Sequence, residues 1–370
     1  MMVKNHRTLT CAPTNTAVVE VASRILSLLE DSSRGGSSGR KCFLSDVVLF
    51  GNEDRMSVNG NLAKIFLDSR IRRLRECLMP GSGWTQCLSS MLRLLERPLV
   101  QYDRYVEEID NEIKEELNNK SKKIRKIEKM SFKAYFMSNY KRLENDLRYC
   151  VETFRDDLPR STTSEGNFRC MTEVPHLLNV FQNLLLYEPD EQLQALFKSE
   201  DERYCPLFLN LVTQVHDGVS LELKEARSSC LQKLRELSDH FELPDMFDSR
   251  SIEEFLLQRA KSVLCTASSS YRLHYLQKAQ TFEVLVVDEA AQLKESESLI
   301  PLQLPGVRHA VLIGDEYQLP ALVKSKVARS LFVYYFYCHN VYCCYGRANL
   351  IQSHNRFVMT LTLEEASSRG

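Results

Sequence analysis

Asp288 and Glu289 have the clearest chemical potential in this sequence: they are adjacent acids that follow the apolar run VLVV and precede the small residues AAQ. A carboxylate at the end of a buried strand can hold a magnesium ion that bridges phosphate oxygens, and a neighbouring acid can orient and deprotonate an attacking water. Acid pairs at strand ends also occur as plain helix caps, so the pair alone leaves both readings open. A second apolar run, AVLI, ends in GDEYQLP and presents Asp315, Gln318 and Pro320 in a similar way. Two more segments pass from an apolar run to a small polar cluster: LTCAPTNTAVVEVASRI with Pro13, Thr14 and Asn15, and AKSVLCTASSS with Thr266 and Ser268. Hydroxyl and amide side chains beside the free N–H groups of a helix start are natural partners of phosphate oxygens, and equally are ordinary caps.

Taken together, DEAA and GDxxQLP resemble motifs II and III of superfamily 1 helicases, in particular the group of senataxin and the nonsense-mediated-decay helicase. The resemblance implies that Asp288 holds magnesium through its water shell and that Glu289 is the catalytic base. It implies that Gln318 senses the γ-phosphate and that Asp315 supports that network, so Asp288 and Gln318 are the cofactor-binding positions for ATP and Mg2+. LTCAPTNT is similar to motif Ia of the same group, which makes Pro13, Thr14 and Asn15 contacts to the backbone of a single strand. AKSVLCTASSS resembles the strand ahead of motif II, with Thr266 and Ser268 as a second backbone contact, and DVVLFGNEDRM resembles the strand shortly after motif Ia. The implied fold is α/β, a RecA-like parallel sheet of the P-loop NTPase type. The implied track is single-stranded RNA or DNA, the implied partners are RNA-processing or RNA-decay proteins, and the implied setting is nuclear or cytoplasmic.

The departures from the family are as informative. A phosphate-binding loop needs the spacing GxxxxGK[ST], whose backbone N–H groups cradle the phosphates while the Lys pairs with them. No Gly in this chain is followed by Lys, only Met1–Arg7 precede the first apolar run, and no other segment replaces the loop. The match continues through VARSLF and gives way to VYYFYCHNVYCCYGRANLIQSHNRF, rich in Tyr and Cys and without helical period. The expectation is a fragment of a helicase motor: a first lobe with the P-loop missing and no second lobe or arginine finger, inactive alone. Loss of the strand beside the P-loop is expected to expose an edge of the sheet. Residues 331–370 read as an atypical tail, and we prefer an aberrant end, such as intron read-through or a frameshift, to a terminal β-hairpin made from these aromatics. A non-catalytic nucleic-acid-binding or regulatory remnant, or a pseudogene product, is the alternative.

The elements that must position these residues are visible as patterns. Four short apolar runs, Thr8–Ala12, Ser262–Cys265, Val284–Val287 and Ala310–Ile313, each stop at a polar cluster, and Asp46–Phe50 reads as a fifth. Continuous apolar runs of this length suit parallel strands covered on both faces, whose ligands bind beyond the carboxyl ends. Asn15 or Thr16 is expected to cap a helix through Glu30, where Val18, Val19, Ala22, Ile25, Leu26 and Leu29 recur near the helical period, and SSRGGSSGR reads as a loop from Ser32. Residues 1–60 and 260–330 thus read as two parts of one lobe, interrupted over 61–259 by a charge-laced helical insertion. Pro98, Pro159, Pro175, Pro189, Pro206 and Pro244 mark expected breaks between its helices.

Composition narrows the remaining classes. The net charge of -1 gives no global reason to bind nucleic acid, so any such contact must be local. Lys120, Lys122, Lys123, Arg125, Lys126 and Lys129 form a basic cluster, but Glu107, Glu108, Glu112, Glu115, Glu116 and Glu128 surround it, and a solvated helix face with paired charges is the better reading. Twelve cysteines lie scattered without a repeated CxxC, which argues for free thiols. Cys338, His339, Cys343 and Cys344 are the densest group, and a metal there is the lesser reading. No apolar stretch reaches bilayer length, so no membrane is expected. Trp84, near Gly81 and Gly83, reads as a packing anchor.

Overall fold

The computed structural model describes residues 6–34, 43–118, 128–201, 221–276, 281–315, 348–353 and 356–362. Strands β1 (Thr8–Ala12), β2 (Val47–Leu49), β3 (Ser262–Thr266), β4 (Val284–Val287) and β5 (His309–Asp315) lie parallel in the order β2-β3-β1-β4-β5. All of β1, β2 and β3 is buried, and so is β4 apart from Val286, as continuous apolar runs between two covering layers require. A hairpin of β6 (Ala348–Ser353) and β7 (Arg356–Thr362) follows, and β7 pairs antiparallel along β5 from His309↔Thr362 to Asp315↔Arg356.

The helices in chain order begin with α1 (Asn15–Arg34), α2 (Glu53–Met56), α3 (Leu62–Ile65), α4 (Leu67–Leu78), α5 (Trp84–Glu96) and α6 (Pro98–Asn118). They continue with α7 (Phe132–Asp157), α8 (Glu165–Tyr187), α9 (Asp190–Asp201), α10 (Leu221–His240), α11 (Ser249–Arg259) and α12 (Glu295–Leu302). The chain divides into two compact units. One comprises Met1–Arg75, Asp156–Thr162 and Asp248–Gly370 and holds the sheet; the other comprises Glu76–Arg155 and Thr163–Phe247 and is helical among its described residues. Compared with the sequence boundaries at 61 and 259, α3, most of α4 and α11 go with the sheet.

In the sheet unit, α1 lays Val18, Ala22 and Leu26 on Ala12, Val47, Leu49 and Leu264, with Met56, Ile65 and Phe66 closing the same core. These positions are four residues apart, so they line one stripe of the helix. Beneath the sheet margin, Arg70 is fully buried and donates from Nη1 to Val47 O (2.9 Å) and from Nη2 to Ser45 O (3.0 Å) and Asp157 O. Asp157 also takes two hydrogen bonds from Arg73, Nε to Oδ2 at 2.7 Å and Nη2 to Oδ1 at 2.8 Å. Asp46, also fully buried, accepts from Lys261 Nζ at 2.9 Å and from the Arg160 amide at 3.3 Å. The stretch Asp156–Thr162 is thus fastened to the sheet by backbone carbonyls and charged pairs.

Several expectations need correction. Asp46 lies in a 3-10 turn (Leu44–Asp46) ahead of β2 and is not part of the strand, because its carboxylate is an acceptor for that network. The cap of α1 is Thr14, whose Oγ1 accepts from the Ala17 amide at 3.2 Å, in place of Asn15 or Thr16. That helix runs on through Ser32 to Arg34, since Ser and Arg cost little in a last turn and the first glycine comes at 35. Pro175 sits inside α8 and does not end it; the buried face of Met171, Val174, Pro175, Leu178 and Phe181 outweighs a missing N–H bond of about 3 kcal/mol. Pro98, Pro159, Pro189 and Pro244 do fall at breaks, and Pro206 lies outside the described residues. The exposed edge expected from a missing strand is not found at β5, whose second side is paired by β7. A hairpin is present over 348–362, but the aromatic run weighed for one in the tail lies outside the described residues.

In the helical unit Trp84 is buried edge-on against Phe154 (5.6 Å) and Phe241 (5.8 Å), an anchor as expected. Lys129 pairs with Asp110 at 2.6 Å; the rest of that basic cluster lies outside the described residues, as do Cys338, His339, Cys343 and Cys344. Cys11, Cys77, Cys87, Cys150, Cys170, Cys230 and Cys265 are free and buried.

Candidate nucleotide and nucleic-acid site

The register of the sheet brings the polar clusters to one rim. Ala12 stands opposite Thr266, Cys11 opposite Val287, and Val287 opposite Leu312, so the chain leaves β1, β3 and β4 at nearly one level. Two backbone bonds extend the ladder past the strands: Ala267 N to Ala12 O at 2.9 Å, and Asp288 N to Cys11 O at 2.8 Å. Pro13, Ser268 and Asp288 therefore emerge side by side. Asp315 belongs to the same rim but stands two residues beyond the level of Asp288, roughly 7 Å further along the strand direction. Gln318 and Pro320 lie outside the described residues.

Asp288 and Glu289 are half-buried. Glu289 has φ 53 and ψ 38, a left-handed conformation shared only with Ser57 among the described non-glycine residues. Such a conformation costs about 1 kcal/mol for an L-residue and persists where the surroundings over-determine it. Here the turn runs directly from a buried strand into the 3-10 turn Ala290–Gln292, and the Glu289 carboxylate accepts from Gln292 Nε2 at 3.1 Å. Sequence reasoning did not single out Gln292. The three-residue spacing within DEAAQ was the available signal, since it returns the amide to the acid across one turn.

The backbone-contact candidates are not equivalent. Thr14 is exposed, with its oxygen committed to the cap of α1. Asn15 is half-buried at the first turn. Thr266 is buried, and its Oγ1 accepts from the Ser269 amide at 3.2 Å while donating to Ser269 Oγ at 2.7 Å. Ser268 is exposed at the start of the 3-10 segment Ser268–Tyr275. The turn after β3 is thus held by Thr266 and presents Ser268. Because Thr14 satisfies an amide that would otherwise lack a partner, Thr14→Ala is expected to lower stability by about 1 kcal/mol while Thr14→Ser retains it. A urea midpoint equal for wild type and Thr14→Ala would argue that the cap contributes nothing.

One hard carboxylate suits magnesium, which binds through one or two carboxylates together with substrate phosphates. Asp288 meets the first part of that requirement. The second part is not met, because the 370 residues contain no phosphate loop. The residues present therefore do not fit a complete MgATP site.

A parallel α/β sheet with an acid pair and hydroxyl-bearing turns along its carboxyl rim defines a RecA-like fold. A family model described as AAA domain matches residues 1–326, and the chain belongs to that family. Within it the chain is of the superfamily 1, senataxin and nonsense-mediated-decay type. It is 35% identical over 82 residues to "Helicase sen1" of Schizosaccharomyces pombe, which covers 22% of this chain and 5% of the relative. It is 30% identical over 133 residues to "Probable helicase MAGATAMA 3" of Arabidopsis thaliana, covering 35% and 15%. It is 35% identical over 113 residues to "Regulator of nonsense transcripts 1" of Caenorhabditis elegans, covering 29% and 10%. The matched segments thus span only 5% to 15% of the length of these three relatives.

Proposed function

We propose that the chain is part of an ATP-dependent RNA or DNA helicase, a first motor lobe that grips a single strand on its carboxyl rim and does not hydrolyse ATP by itself. The observation that carries this reading is the common rim, which gathers Pro13, Ser268 and Asp288 from distant parts of the sequence, with Asp315 about 7 Å further along the strand direction. In this assignment Asn15, Ser268 and the neighbouring helix-start amides face phosphates, Thr14 and Thr266 shape the turns that present them, and Asp288 with Glu289 is the chemical end of the rim. Gln318 completes it as the nucleotide sensor. The helical unit is the insertion of this lobe. ATP and magnesium are the nucleotide and metal of the working motor, whose phosphate-binding segment must come from residues other than these 370. Such a motor works in the nucleus or cytoplasm beside RNA-processing or RNA-decay proteins. No helix among the described residues is long and apolar enough to cross a membrane.

Binding is expected to be weak, salt-sensitive and indifferent to base sequence, because hydroxyls, amides and helix N–H groups aim at phosphates. Titration of labelled single-stranded RNA and DNA at low and high salt tests this directly. Tight binding that survives high salt, or strong preference for one base sequence, would remove the reading. The absence of GxxxxGK[ST] supports a second reading, a non-catalytic binding or regulatory remnant. The ATPase experiment in the Discussion separates the two.

A further inference from the structure

We infer that the helical unit carries a second anion site, a groove at the junction of α5 and α6 that takes successive phosphodiester groups of a nucleic-acid strand. The inference rests on the reading of the chain as a nucleic-acid binder and adds a contact that the rim does not contain. The groove has a volume of about 480 Å³ and is open to solvent; Arg93, Arg97 and Arg104 line it together with Glu96, Val100 and Gln101. All three arginines are exposed, and none forms an ion pair or side-chain hydrogen bond with the described residues. The carboxylate of Glu96 is already held by Arg235 Nη2 at 2.8 Å and pairs with none of the three.

One further feature points to an anion. Gln101 Nε2 is closed off from solvent in the groove wall without an acceptor, and a rotamer change offers that donor to a ligand oxygen. The shape favours a polymer over a small phosphate compound. Arg93 lies in the last turn of α5, Arg97 at its C-cap and Arg104 on α6, which spreads the charge over the junction, and Val100 supplies an exposed apolar edge for sugar or base.

The experiment is an anisotropy titration of a labelled single-stranded oligonucleotide across a salt series, on the full chain. Three proteins are compared: wild type, R93Q/R97Q/R104Q, and N15A/S268A. Losing three phosphate contacts is expected to weaken binding at least about tenfold at low salt and to flatten the salt slope by about two, at roughly 0.7 per contact on a single strand. Far-ultraviolet circular dichroism should be unchanged, since the replaced side chains are exposed. A triple variant with the affinity and slope of wild type overturns the groove; if N15A/S268A then loses binding, the rim reading stands without it. The converse result, binding lost only in the arginine variant, keeps the groove and removes the rim. Wild type that does not bind even at the lowest salt overturns both. Arginine-selective labelling of the wild type gives a second measurement: the strand should protect peptides containing Arg93, Arg97 and Arg104, and full labelling in its presence overturns the groove.

Discussion

The 370 residues alone should release phosphate from ATP at the background rate, and a chimera that adds a relative's phosphate-binding segment and second lobe should hydrolyse ATP in the presence of single-stranded RNA. In that chimera Glu289→Gln is expected to lower turnover by about two to four powers of ten, the range of a general base. Phosphoryl transfer depends on positioning and charge stabilisation: a P-loop cradles the phosphates, and an arginine finger contributes about three to five powers of ten. Neither a P-loop nor any other GK pair occurs in this sequence. Asp288 stands at the end of a buried strand, and Glu289 in a left-handed turn tied to Gln292. Because Gln keeps the size of Glu, the substitution should leave folding and strand binding intact, so a lost rate reports chemistry. Robust turnover by the short chain, or a chimera indifferent to Glu289, sinks the assignment. A chimera that folds and binds RNA but never turns over ATP favours the non-catalytic remnant.

The second large effect concerns stability. Arg70→Met is expected to destabilise the sheet unit by about 3 kcal/mol or more, the usual cost of breaking a buried ion pair. The guanidinium is inaccessible to solvent and bridges Ser45, Val47 and Asp157; burial pulls its pKa down to about 10. Burial likewise raises the pKa of the Asp157 carboxyl, an effect that exceeds the opposing influence of Arg73 and Arg70. The pair as a whole is therefore no large source of stability, yet removal of Arg70 takes a donor from three carbonyls and leaves the buried acid with Arg73 alone. Arg73→Met should cost less, because that side chain is 30% exposed and water can replace it. Urea unfolding of both variants measures the difference; a loss under about 1 kcal/mol for Arg70→Met would show that the network relaxes around the methionine.

Much of the sheet was legible because β1, β3 and, apart from Val286, β4 are buried on both faces, as is β5 over Ala310 and Val311. That environment demands uninterrupted apolar residues, and VLVV, SVLC and AVLI leave no polar side to mistake for a surface strand. The start of α1 was legible to within two residues, since Thr14, Asn15 and Thr16 are all capping types and only geometry selects among them. Pro175 misled because local rules count a lost hydrogen bond and cannot count the buried face that holds α8 together.

The sequence by itself determined the chemistry of the rim: which residues can carry charge or donate to phosphate, and that no phosphate loop accompanies them. Those properties belong to side-chain types and short spacings, which no fold can alter. The tertiary structure decided their neighbourhood. It alone set the order β2-β3-β1-β4-β5 that seats Asp288 beside the turn after β1, and it returned Asp157 to Arg70 from 87 residues away. It also fixed the left-handed turn at Glu289 and opened the arginine groove between α5 and α6. Each of these depends on contacts between distant segments, and the burial energy that forms them has no signature in any local window of the chain.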